Sequence, residues 1–122
     1  MKFHLQAAAS NVVTGSGPGW IRVGTRDYRD NVVLTPSSVD PGFAPQGFDA
    51  LTSGDFERLL VSSPQIVLLG TGASQRFPHP RLIVPLLEAR IGVEVMDTRA
   101  ACRTYNILVA EGRNVVAALI VE

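Results

Sequence analysis

Between Gln65 and Glu122 the chain alternates two hydrophobic periods, and that alternation leaves few ways to fold. Ile66-Val67-Leu68-Leu69 is an uninterrupted aliphatic run that stops at Gly70-Thr71-Gly72. Such a run suits a strand covered on both faces. A helical pattern follows, then Val93 to Asp97, a second helical pattern, and a last apolar run from Val115 to Val121. The order is strand, helix, strand, helix, strand. Parallel neighbours need helical crossovers of this length, so the segment predicts a βαβαβ unit.

Pro80 is predicted to open the first helix, since proline is tolerated in a first turn. Pro85 removes a backbone donor there and predicts a delayed or kinked helix, ending near Gly92. In the second helix Ala101, Cys102, Tyr105, Leu108 and Val109 recur at helical spacing. Asp97 or Thr98 is its N-cap and Gly112 its stop. Tyr105 lies on the core stripe, so its hydroxyl needs a polar partner. Asn106 lies off that stripe, either bonded to a neighbouring loop or exposed.

The first half reads as mostly antiparallel β. Phe3, Leu5 and Ala7 alternate with His4 and Gln6, which predicts a half-buried strand. Gly15 to Gly19 is expected to be a loop. Trp20 to Gly24 and Asn31 to Thr35 are expected to pair through a turn near Arg29-Asp30. Pro36 to Gly47 holds three prolines and two glycines and reads as irregular surface chain. Thr52 or Ser53 should cap a short helix through Phe56, Leu59 and Leu60, ended by Ser62-Ser63-Pro64. The fold class is therefore α/β: a single domain over residues 1–122, with an antiparallel first half and a βαβαβ second half forming a mixed central sheet.

Composition narrows the function classes. The 122 residues carry zero net charge, with ten arginines and Lys2 as the one lysine. Scattered basic residues give no electrostatic case for nucleic acid or an anionic membrane. Lys2 aside, no lysine serves a phosphate loop or a Schiff base. A single cysteine excludes an internal disulfide and a cysteine-cluster metal site. No apolar run reaches the roughly 20 residues of a membrane helix, and the start lacks a continuous signal-peptide core. The expected location is the cytoplasm. No cofactor and no metal is expected.

In a parallel unit both strands end on one edge, and ligands bind beyond it. That edge should gather Gly70, Thr71, Gly72, Ser74, Arg76 and His79 with Asp97, Thr98, Arg99, Cys102 and Arg103. Helix N-termini and arginines attract anions, so a small anionic ligand is one expectation; solvated surface arginines are the plainer one. Gly70-Thr71-Gly72, with Asp97 placed 25 residues past Gly72, invites a dinucleotide reading. It fails at Gln75, where the third glycine belongs, and Pro78 and Pro80 keep the helix off the glycines. A turn needing positive φ at the strand end is the simpler account. Cys102 sits on the apolar stripe and reads as a small core residue. His79, between two prolines, is either a proton shuttle or a solvated loop residue. Trp20 is an interface anchor or packs within the monomer. Trp20 and the Pro36 to Gly47 segment are candidate contacts of a homodimer.

Taken in order, Leu68-Leu69-Gly70-Thr71-Gly72, Gly92 to Thr98, Ala101 to Leu108, Glu111-Gly112-Arg113 and Val116 to Leu119 resemble a small bacterial and archaeal family. It is related to the mitochondrial complex I assembly factor three and to the adipogenesis-associated domain protein. The resemblance implies a compact three-layer α/β domain, no established enzyme activity and no catalytic residues. The mitochondrial branch of that family works by binding partners during respiratory complex assembly, and this chain resembles the bacterial branch. The leading expectation is thus a non-enzymatic interaction or assembly protein. The alternative is a small-molecule or anion binder or enzyme at the edge formed by residues 70–76 and 97–103.

Overall fold

Hydrophobic periodicity of two and of 3.6 separates the chain into eight strands and three α-helices in the computed structural model, which describes residues 10–122. The strands are β1 (Val13–Gly17), β2 (Trp20–Val23), β3 (Arg26–Tyr28), β4 (Val32–Thr35), β5 (Ser38–Pro41), β6 (Ile66–Gly70), β7 (Gly92–Met96) and β8 (Val115–Leu119). The helices are α1 (Ser53–Glu57), α2 (Val84–Glu88) and α3 (Thr98–Ala110). Short 3-10 segments flank them at Phe48–Ala50, Arg58–Ser62 and Pro80–Ile83. The expected strand around Phe3, Leu5 and Ala7 lies outside the described residues.

Five strands form a mixed sheet in the order β5-β4-β8-β6-β7. Strand β6 lies parallel to both β7 and β8, with Leu68 opposite Glu94 on one side and Ala117 on the other. Because β7 and β8 flank β6, right-handed crossovers send α2 and α3 to opposite faces. Alternation then divides the core. Val67, Leu69, Val116, Ala118 and Ile120 face Phe56, Leu59 and Leu86 of the α1–α2 layer. Leu68, Val115, Ala117 and Leu119 face Ala101, Cys102 and Tyr105 of α3. Ile21 and Val23 of β2 join that second cluster, so the small antiparallel sheet β1-β2-β3 packs in the α3 layer. The three-layer α/β architecture with a mixed central sheet is the expected one.

Local signals hold from Thr52 onward. Thr52 caps α1 in a reciprocal box with Asp55. Pro85 delays α2 behind the 3-10 segment that Pro80 opens. Asp97 caps α3. Its C-terminus closes in a Schellman arrangement, Gly112 (φ 77°) donating to the Val109 carbonyl and Arg113 to that of Leu108.

Four expectations are corrected. Gly15 to Gly17 is strand, not loop; only Pro18-Gly19 turns, with Gly17 opposite Trp20. Trp20–Val23 and Val32–Thr35 are both strands but do not pair. The first lies between β1 and β3, while the second lies between β5 and β8 in the other sheet. Within Pro36 to Gly47, Ser38–Pro41 forms the edge strand β5, where a terminal proline is tolerated. Helix α2 ends at Glu88 rather than near Gly92, because Arg90 (φ 61°) makes the left-handed stop and Ile91 donates back to Leu86.

Candidate functional site

The expected edge exists as a corner where three strand ends meet. Thr71 donates its N–H to the Met96 carbonyl and Thr98 donates to the Gly72 carbonyl, both at 2.9 Å, so the β6 and β7 exits are stitched together. Thr98 Oγ1 ties in the third strand. It accepts from the Gly72 N–H at 2.8 Å and donates to the Ile120 carbonyl at 2.6 Å. Gly70 must be small, since a Cβ there would press on Thr98 and Leu119. Gly72 (φ 96°) occupies backbone space that side chains rarely enter, and a Cβ would run into the Glu122 carboxylate.

The loop after the glycines is equally self-satisfied. Thr71 Oγ1 donates to the Ser74 carbonyl at 2.7 Å and accepts from the Arg76 N–H at 3.0 Å. The Arg76 guanidinium donates to the Thr71 carbonyl at 2.6 Å and to Glu122 Oε1 at 2.9 Å, and lies 4.5 Å from the centre of the Phe48 ring. At the start of α3, Asp97 Oδ1 accepts from Ala100 at 2.9 Å and the Asp97 carbonyl accepts from Ala101. The negative charge that a helix N-terminus favours is thus supplied by the chain itself.

Beside this corner opens a cleft of about 830 Å³. One wall is the β1–β2 hairpin with Gly17 and Trp20; the other is the α3 start with Arg99 and Arg103; Gly72 and Glu122 lie between. The Trp20 ring rests over Gly15 and Gly17, where a Cβ on Gly17 would strike the indole. Arg22 stacks on Trp20 at 5.1 Å and pairs with Asp27 at 2.7 Å. That bond holds the Asp27 carboxyl below its usual range and raises the Arg22 pKa further. Asn106 fixes the hairpin to α3 by clamping Val13, accepting from its N–H and donating to its carbonyl, both at 2.8 Å. The Tyr105 hydroxyl finds its partner in the Asn11 carbonyl at 2.9 Å.

The residues gathered from the sequence therefore sort into three groups. Gly70, Thr71, Gly72, Arg76, Asp97 and Thr98 build the corner. Arg99 and Arg103, exposed and one turn apart, line the cleft. Two others stand apart. The exposed His79 caps its 3-10 segment, Nδ1 accepting from Arg81 at 3.2 Å. Cys102 is buried in the α3 core cluster, where burial pushes its thiol up to about 11. Sequence reasoning left Gly17 and Glu122 out of the site and placed Trp20 only as a possible anchor. A tryptophan directly after the alternating glycines Gly15, Gly17 and Gly19 is a faint signal for the first; Glu122 carries none. Phe43 and Ala44, within the segment expected to be uncovered, are buried in the monomer. Among the described residues no group of three His, Cys, Asp or Glu side chains is placed to hold a metal.

Solved structures share this architecture. A crystal structure of a Bordetella parapertussis protein superposes with a TM-score of 0.87 at 37% identity, over 93% of this chain and 98% of that one. A Bordetella pertussis protein described as an Mth938-like domain superposes at 0.80 with 32% identity, covering 92% and 86%. The fold is that of the Mth938-like α/β domains.

The chain belongs to the family described as proteins of unknown function DUF498/DUF598, whose profile matches residues 13–120. Among curated relatives, a Rhodobacter capsulatus protein is 32% identical over 88% of this chain and 82% of its own length. The zebrafish (Danio rerio) NADH dehydrogenase 1 alpha subcomplex assembly factor 3 is 30% identical over 94% of this chain and 67% of its own length. A Francisella tularensis protein named a 13 kDa major membrane protein is 36% identical over 54% of each chain, so the match spans about half its length. Among the described residues no helix of this protein is long and apolar enough to cross a membrane.

Proposed function

We propose that this protein works by binding rather than catalysis, as an assembly protein for a multi-subunit complex of the NADH dehydrogenase kind. The observation that carries the reading is the similarity to assembly factor 3 along 94% of the chain. The chemistry of the corner supports it. The Thr71 and Thr98 hydroxyls are engaged by backbone groups, Arg76 is neutralised by Glu122, and a thiol raised to about 11 is a poor nucleophile near neutrality. Deleting the gene in its host and resolving NADH dehydrogenase on native gels tests the proposal. Accumulated subcomplexes are the expected result; full-size complex in normal amount would overturn it. The location that goes with this reading is the cytoplasm, and recovery in the membrane fraction after a salt wash would overturn that part.

A second reading has its own observation. Arg99 and Arg103 stand on an open cleft at the expected strand-end edge, which suits a small anionic ligand. Isothermal titration with phosphate and small dicarboxylates tests it, with a saturable heat expected and a flat trace counting against it.

A further inference from the structure

We propose that Gln75 guards an open edge of the central sheet. Its side-chain amide stands where a neighbouring strand would bond to β7, and keeps two copies of the protein from pairing edge to edge.

The outer strands of the five-stranded sheet are β5 and β7. An outer strand presents unpaired N–H and C=O groups that another chain can take up. Which groups those are follows from alternation, since successive residues direct their backbone groups to opposite sides in the plane of the sheet. Met96 turns its carbonyl toward β6, accepting from the Thr71 N–H at 2.9 Å. Gly92, Glu94 and Met96 therefore bond to β6, while Val93 and Val95 direct their backbone groups outward. On β5 the same count starts from Gly42, whose N–H donates to the Asn31 carbonyl at the foot of β4 at 3.1 Å. Val39 and Pro41 then face outward, and Pro41 has no N–H to offer. That edge is closed by its own sequence.

Strand β7 has no such residue. Gly92-Val93-Glu94-Val95-Met96 holds no proline, and its flanks are apolar. Both α2 and α3 touch it, and each exposes a large aliphatic side chain, Leu87 and Ile107. Ile107 lies one turn from Thr104, whose hydroxyl meets Met96 Sδ at 3.5 Å, so it stands on the β7 side of its helix. An edge of this kind invites strand addition. Gln75 meets it from outside, Nε2 donating to the Val95 carbonyl at 2.9 Å. A primary amide carries the donor and acceptor of a peptide group, so it fills the place where an incoming strand would put its N–H. The loop is pinned on both sides of Gln75 to hold it there. Thr71 Oγ1 donates to the Ser74 carbonyl and accepts from the Arg76 N–H. A glutamine at the position where a dinucleotide motif would carry its third glycine thus has a role of its own.

Sedimentation velocity of the full chain compares the parent with Gln75→Ala and Gln75→Ala/Val93→Pro over a wide concentration range, and circular dichroism establishes which variants fold. Gln75→Ala should self-associate with a dissociation constant at least about tenfold below the parent's, since a symmetric pair uncovers the edge twice. Val93→Pro removes an outward N–H that β6 does not use, and should return association to the parent's level. Amide exchange reads the edge directly, whether or not the proline variant folds. Val93 and Val95 should exchange faster than Glu94 and Met96 in the parent, and should gain protection as the concentration of Gln75→Ala is raised. Self-association of Gln75→Ala no stronger than the parent's would overturn the proposal. So would association that leaves Val93 exchanging freely, or that survives Val93→Pro undiminished.

Discussion

At the strand-end corner, Thr71, Gly72, Arg76 and Thr98 direct their polar groups at one another and at the strand ends. Across the cleft, the β1–β2 hairpin makes few such ties: the Asn106 clamp on Val13, the Tyr105–Asn11 bond, and the apolar seat of Ile21 and Val23. The difference assigns roles. A corner whose donors and acceptors are already matched has little left to offer a ligand, and serves as a rigid reference. The groups free to meet a partner are those that the corner positions without consuming, namely Arg99 and Arg103.

Removing the hydroxyl that joins three strand ends attacks the rigid wall most directly. Thr98→Val leaves the buried Gly72 N–H and Ile120 carbonyl without their partner. It should cost about 2–6 kcal/mol, at about 1–3 kcal/mol per unmatched buried group. Urea denaturation checks this, with Thr98→Ser expected close to the parent. A loss below about 0.5 kcal/mol in Thr98→Val would mean that the corner is not the stiff element argued above.

High pH probes the layer beneath both walls. Cys102 rises from an ordinary value of 9.0 to about 11 through burial, and Tyr105 rises for the same reason. With folded values above the unfolded ones, the native state holds these protons longer. Their contribution is complete below about pH 9 and is lost as pH climbs toward 11. Two units on Cys102 amount to roughly 2–3 kcal/mol. Melting temperature should fall steeply between pH 9 and 11, and less steeply in Cys102→Ala. Parallel slopes in the two proteins would contradict this.

The smallest effect is expected at the hairpin. Asn106→Ala removes two half-buried hydrogen bonds to Val13 and should cost about 1–2 kcal/mol. Amide exchange should speed up at Val13 and the β1–β2 hairpin while the Gly70–Gly72 corner keeps its protection. Equal acceleration at both would erase the contrast between the walls.

Much of the second half was legible because its signals are local. The run Ile66–Leu69, the α3 stripe, the Asp97 cap and the Gly112 stop each act within a few residues. The first half resisted for the opposite reason. Val32–Thr35 is plainly a strand, but whether it pairs with Trp20–Val23 or with β8, more than eighty residues away in sequence, is not written in either segment. Strand β5 was hidden by its prolines and glycines, and the early end of α2 by an arginine in a conformation normally left to glycine.

The site divides along the same line. By itself the sequence determined that β6 and β7 end together, and that Gly70-Thr71-Gly72 and Asp97-Thr98 meet there. The succession of elements and their caps follow from periodicity and local capping residues. Only the tertiary structure decided which of the gathered side chains remain available. Whether Arg76 is free depends on Glu122 and Phe48, and whether Arg99 faces open space depends on where the hairpin bearing Trp20 lands. Those are contacts between residues tens of positions apart. They are settled when the layers pack, because each polar group near the corner takes whichever partner packing brings within reach.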